Sequence, residues 1–214
     1  MSTARDAILG AVRANLRGAA RPELPEARTR FALSEAERLT RFCALLERVG
    51  ARGEVVADAR AAARRVAELL AERGVRGLIV SDAPELETLV ATLPSGLVRL
   101  APDAPRAALF AADAGLTTAQ WGIAETGTLV LEAANERHRL ASLLPAFHLA
   151  LLPRSRLLGT LGEAFVRLQA PGGGPRSRTV TFVTGPSRTA DIELELVVGV
   201  HGPKHLHVLV LEAA

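Results

Sequence analysis

The sequence predicts an α/β protein: a mostly parallel sheet covered by helices on both faces, with a helical arm ahead of it. Three observations predict this class. Hydrophobic residues make up 49% of the 214-residue chain and charged residues 23%, which suits a packed globular core. Residues 1–50 carry helical periodicity only. From about Gly53 onward, short apolar runs alternate with amphipathic stretches, the rhythm of strands joined by crossover helices. The expected division is an arm over 1–50 and an α/β domain over 51–214.

The elements follow in order. Residues 3–17 place Ile8, Leu9, Val12 and Leu16 on one side of a helix, and Pro22 and Pro25 then break the pattern. A second helix starts at Ser34, with Glu37 three residues on in a capping-box arrangement, and stops at Gly50. A short strand over 54–56 leads to a helix over 58–73, stopped by Gly74. The apolar run 75–80 is a strand, 84–93 a helix and 97–100 a strand. The second half is richer in strands, expected near 114–119, 128–132, 147–152, 178–184, 194–200 and 206–211. Helices are expected over 139–144 and 157–168, and the Gly- and Pro-rich stretch 169–175 is a flexible loop.

Composition excludes several classes. The sequence pI of about 10.2 suggests a nucleic-acid binder, but the net charge is only +3. With no Tyr, one Cys and Lys204 as the only lysine, almost nothing titrates between His and Arg, so the pI slides upward for lack of buffering groups. The arginines are interspersed with Asp and Glu, and only 3% of residues are aromatic, too few for a base-stacking platform. No nucleic-acid partner is expected. The N-terminus lacks a secretory apolar core, and no apolar run reaches the roughly 18 residues of a membrane helix, so the expected location is the cytoplasm. Cys43 stands alone at an apolar position of a helical pattern and reads as a buried structural thiol.

Three clusters carry chemistry. The stretch 122–128, GIAETGT, places Glu125 beside Thr126, Gly127 and Thr128 in a turn that can aim N–H groups at an anion while the carboxylate acts as acid, base or nucleophile. A plain turn with a surface Glu accounts for it equally well. The stretch 185–193, GPSRTADIE, gathers Ser187, Arg188, Thr189, Asp191 and Glu193, and Arg188 can hold a carboxylate or phosphate in a bidentate fork. An N-capped loop is the simpler account. In 199–207, GVHGPKHLH, glycines flank His201 at a sharp bend where an imidazole can reach a pocket. His205 and His207 read as alternating along the outer face of the last strand, and His148 as a satisfied core residue. The histidine spacing has no matching Asp or Cys pattern, so no metal site is expected.

The strings GIAETGT, RLASLLPAFH (139–148), GPSRTADIE and GVHGPKHLHVLVLE (199–212) together resemble the lactate-utilisation protein C family (LutC/YkgG-type, LUD domain). They cover most of the C-terminal half in the family's order, while the first 110 residues offer no such motif. The resemblance implies a three-layer open sheet of the sugar-isomerase and CoA-transferase type. It implies a part in oxidising lactate to pyruvate beside partner subunits that carry iron–sulfur clusters. It raises Glu125 and His201 as catalytic candidates. Thr126, Gly127, Thr128, Arg139, Ser187, Arg188, Thr189, Asp191 and Lys204 become candidates for binding a small anionic ligand. Glu125, Arg188 and His201 are expected to line one cleft, because ligand sites in open α/β sheets form at strand ends.

Two functional readings remain. One is a non-redox binding or assembly component of a lactate-oxidising system. The other is a stand-alone acyl-CoA transferase- or sugar-phosphate isomerase-like enzyme using Glu125. Removing two electrons from lactate needs a flavin, nicotinamide or metal centre. A typical iron–sulfur cluster takes four cysteines where this chain has Cys43 alone, and no Gly-x-Gly-x-x-Gly turn follows a strand. No cofactor of its own is expected.

Overall fold

The computed structural model describes residues 3–16, 33–101, 103–134, 139–169, 177–189 and 197–213. Helix α1 (Ala4–Leu16) buries none of its residues, and Ile8, Val12 and Leu16 are exposed. Helix α2 (Glu35–Arg48) opens with the expected capping box. The Ser34 hydroxyl receives the Glu37 N–H, and the Glu37 carboxylate receives the Ser34 N–H at 2.8 Å. Gly50 ends it with φ +80°, a left-handed conformation that suits glycine.

Strand β1 (Arg52–Val56) is followed by α3 (Ala59–Glu72), capped by Asp58 through the Ala61 N–H at 2.7 Å. Next come β2 (Gly77–Val80), a 3₁₀ turn (Pro84–Leu86), α4 (Glu87–Ala91) and β3 (Val98–Leu100). Then follow α5 (Arg106–Phe110), β4 (Ala114–Thr118), β5 (Trp121–Ile123), β6 (Thr128–Glu132), α6 (Leu140–Leu143) and β7 (Phe147–Pro153). After a 3₁₀ turn (Arg154–Arg156), the chain forms β8 (Leu157–Leu158), α7 (Leu161–Gln169) and β9 (Val180–Val183). It closes with β10 (Arg188–Thr189), β11 (Val197–Val198) and β12 (His205–Leu211).

The main sheet has six strands in the order β1-β12-β7-β4-β2-β3, and every neighbouring pair is parallel. A parallel sheet buries both faces, and alternate residues of its strands divide between two cores. Leu149, Leu151, Leu209 and Leu211 face α3 and α4, together with Val66, Leu69 and Leu89. Ala150, Leu152, Val208 and Val210 face the other way, against Phe42 and Leu46 of α2 and against Leu129 and Leu131 of β6. On that second face α5 and α6 cover Ile79 through Leu109 and Ala141. A four-stranded sheet, β8-β5-β6-β9, lies alongside. The α/β class with a mostly parallel sheet and an N-terminal helix is as the sequence predicts.

Several details differ from the sequence reading. The short elements α5 and β5 are missed because runs of five and three residues carry too little periodicity. The helix expected from 157 begins at Leu161, because Leu157 and Leu158 pair with Gly122 and Ile123. Helix α2, assigned to the arm, buries Phe42 and Leu46 completely in the second core. Cys43 on the same helix is half-buried, and burial with the nearby Glu47 carboxylate pushes its thiol up.

The largest difference is the last strand. His205 and His207 read as lying along its outer face, yet β12 is an interior strand between β1 and β7 with both faces covered. His207 is therefore buried, 4% exposed, with Nε2 3.2 Å from a Glu54 carboxylate oxygen, while His205 at the strand's start stays exposed. Burial outweighs Glu54 and pushes the His207 imidazole down.

Candidate ligand site

Two of the predicted site residues, Gly127 and Arg188, meet the C-terminal half of α2. The turn from β5 into β6 holds Gly127 at φ +67°, and a Cβ there would stand 2.8 Å from Leu45 Cβ. Only glycine lets this turn lie so close to α2. The Thr126 and Thr128 hydroxyls are 2.7 Å apart, and Thr128 is 3.0 Å from the Thr184 hydroxyl, just ahead of the Gly185 segment. Gly185 in turn packs on Val49. From β10, the Arg188 guanidinium donates to the Val49 carbonyl at the end of α2, where positive charge complements the helix dipole. The Ser187 N–H donates to the Pro203 carbonyl and the Gly199 N–H to the Ser187 carbonyl, both at 2.8 Å. The three sequence clusters are thus linked in series, through a hydroxyl chain and a backbone ladder.

The positions of Glu125, His201, Lys204 and Arg139 are less convergent. A carboxylate oxygen of Glu125 accepts the Leu161 N–H at 3.2 Å, so Glu125 serves the first turn of α7. His201 and Lys204 are exposed in the loop ahead of β12, at the amino edge of the main sheet. Arg139 is exposed at the start of α6, and its carbonyl receives the Ser142 N–H and hydroxyl. Thr189 pairs with Val197 across β10 and β11. Asp191 and Glu193 lie outside the described residues. The topology thus puts the His201 loop at the opposite end of the strands from the crevice that open α/β sheets offer.

At that crevice, the carboxyl edge of the parallel sheet, lies a cavity of about 550 Å³. Its floor is Thr118, Leu151, Pro153 and Leu211, the last residues of β4, β7 and β12 or their neighbours. One wall is Ala59, Arg60 and Ala63 from the first turns of α3, and the other is Thr88, Leu89 and Thr92 from α4 and its end. Arg156 and Glu85 meet at the mouth at 3.3 Å. None of these residues was singled out from sequence. The available signal was position: each follows or ends a parallel strand, but only the strand order shows which strand ends adjoin.

Deeper in the sheet, His148 on β7 is fully buried with Nε2 2.9 Å from the Thr117 hydroxyl of β4. Its Nδ1 has no hydrogen-bond partner among the described residues. It is a core residue as expected, but only half satisfied. Among the described residues no cluster of three His, Cys, Asp or Glu is arranged to hold a metal. No helix there is long and apolar enough to cross a membrane.

Fold and crevice define an open α/β protein of the parallel-sheet class, with a largely apolar cavity at the strand carboxyl ends. The chain belongs to the LUD domain family, whose model matches residues 39–211. It is 41% identical over 103 residues to "Lactate utilization protein C" of Halalkalibacterium halodurans, covering 47% of this chain and 45% of that one. The protein of the same name from Bacillus subtilis is 38% identical over 102 residues, 46% and 42% of the two chains. These matches span less than half the length of either relative. A crystal structure of a DUF162 family protein from Deinococcus radiodurans superposes with a TM-score of 0.62 at 27% identity, over 84% of this chain and 99% of that one.

Proposed function

We propose that the chain acts in lactate utilisation as a non-redox component, binding a small organic anion or the iron–sulfur-bearing partner subunits of a lactate-oxidising system. The observation that carries this is the identity of about 40% to proteins named Lactate utilization protein C. The electron count supports a non-redox role. Lactate gives up two electrons on becoming pyruvate, and the acceptor must be a redox centre. Cys43, the only cysteine, sits half-buried on α2 with its thiol pushed up, which disfavours the thiolate that a metal or cluster requires.

The purified chain is expected to be colourless and inert toward lactate. An absorbance spectrum from the near-ultraviolet through the visible, with a lactate assay using an artificial electron acceptor, tests this. Activity is expected only after cysteine-rich partner subunits are added. A stoichiometric chromophore, or turnover by the isolated chain, would place it among the oxidoreductases.

The alternative, a transferase or isomerase using Glu125, requires a carboxylate available to substrate. The Leu161 N–H already occupies one oxygen of Glu125, which favours helix capping over catalysis. A Glu125→Gln variant keeps an acceptor for that N–H and removes the charge. It is therefore expected to support partner-dependent lactate oxidation within about twofold of wild type, whereas loss of a catalytic carboxylate costs at least ~10²-fold. Complementation of a lactate-growth defect and the reconstituted assay read this directly.

A further inference from the structure

We infer that the cavity at the carboxyl edge of the main sheet is a binding site for a monocarboxylate bearing an apolar chain. The inference stands apart from the lactate role, because it rests on the shape and chemistry of this cavity alone.

Size is the first consideration. Ligand pockets of ~300–1,000 Å³ enclose molecules of drug-like bulk. A space of about 550 Å³ is far larger than a three-carbon hydroxy acid needs. Lactate would leave most of the apolar wall facing water.

The lining is the second. The interior surface comes from Ala59, Ala63, Leu89, Leu151, Pro153 and Leu211. Thr88 and Thr92 add hydroxyls from the α4 wall, and Thr118 lies in the floor, its hydroxyl accepting from Gln120 Nε2. Such a lining gains by removing hydrocarbon from water and offers little to a sugar or a nucleotide base.

Charge at the mouth is the third. Arg60, Arg156 and Glu85 border the cavity, two guanidinium groups against one carboxylate. Glu85 is engaged by Arg156 at 3.3 Å. The Asp58 carboxylate, near Arg60 in sequence, accepts the Ala61 N–H. Arg60 is exposed and makes no ion pair among the described residues. A carboxylate headgroup at the mouth would balance that charge, and the planar fork of Arg60 suits it. An apolar interior under a cationic rim is complementary to an anion on a hydrocarbon chain.

The test uses the full chain with decanoate as the probe, followed by isothermal titration calorimetry. Decanoate is expected to bind at one site per chain with a negative heat-capacity change, the mark of buried hydrocarbon. Decanol, which lacks the charge, is expected to bind about tenfold more weakly, and Arg60→Ala to weaken decanoate by a similar factor. Lactate in excess is expected not to compete. Ala63→Trp, which fills the cavity from α3, is expected to abolish binding while thermal melting shows a folded protein. Should that variant fail to fold, a photoreactive decanoate analogue on the wild-type chain decides. Adducts on α3, α4 or the Arg154–Arg156 turn support the site, and adducts confined elsewhere overturn it. No heat at any decanoate concentration, equal affinity for decanol, or undiminished binding to a folded Ala63→Trp variant would also overturn it.

Discussion

A Gly115→Ala variant is expected to be among the most destabilised single substitutions in this protein. Gly115 lies in β4 between β2 and β7, where α6 crosses the sheet. A Cβ there would fall 1.7 Å from the Ala141 carbonyl oxygen and 2.7 Å from its carbon. Both are backbone atoms of α6, so relief requires the helix itself to move off the sheet. Overpacking of this kind costs about 3 kcal/mol. For a chain of this size that lowers the melting temperature by roughly 6–12 °C. Gly122→Ala is the control. Its Cβ would meet Leu152 Cδ2 at 2.6 Å and Leu157 Cδ1 at 2.9 Å, the ends of side chains that can rotate away. That variant is expected to lose roughly a third as much. Parallel urea titrations measure both. A Gly115→Ala midpoint within error of wild type would mean that α6 does not sit where the structure places it.

Stability is also expected to fall as the solution is acidified from neutral pH. Burial pushes the His148 imidazole from its ordinary 6.5 to about 4. Between those values the unfolded chain binds a proton that the native core refuses. The native state is therefore favoured above pH 6.5 and loses ground steadily as pH falls toward 4. At about 1.4 kcal/mol per pH unit, His148 alone removes about 2 kcal/mol by pH 5 and about 3 kcal/mol by pH 4. His207 acts in the same direction, since its pKa is also lowered by burial. A His148→Gln variant keeps a hydrogen-bonding group facing Thr117 and cannot titrate. It starts less stable at pH 7.5, and the slope of stability against pH is expected to flatten. Denaturant midpoints at four or five pH values give the slopes. Equal slopes for wild type and variant would remove His148 as the source.

Both effects come from contacts between segments far apart in the chain, and neither was legible in the sequence. Gly115 reads as one small residue in an apolar run. Its importance comes from Ala141, which the crossover into β7 brings over β4. His148 was legible as a core histidine, but its hydrogen bond to Thr117 depends on β4 lying beside β7. His207 was misread for the same reason. The alternation of histidines with apolar residues suggests a strand with one solvent-facing side, and nothing in it shows that β1 pairs beyond it and brings Glu54 against His207.

The candidate site divides along the same line. The segments GIAETGT, GPSRTADIE and GVHGPKHLH stood out because hydroxyls, charges and glycines cluster there in the chain. The structure links them in series: the first and second both meet the end of α2, and the third joins the second through backbone hydrogen bonds at Ser187. The carboxyl-edge cavity went unseen because its alanines, leucines and threonines look like ordinary core and helix residues.

By itself the sequence determined the α/β class, the capped start of α2, the parallel rhythm after Gly53 and the LUD-type C-terminal half. Those properties are local: periodicity, capping and turn chemistry act within a few residues, and motif strings are read without knowing what they touch. Strand order, the burial of His207, the Nδ1 of His148 left unpartnered among the described residues and the cavity under Arg60 and Arg156 were decided only by the tertiary structure. They depend on which strands become neighbours, and pairing between residues as distant as Glu54 and Leu209 leaves no mark on either segment alone.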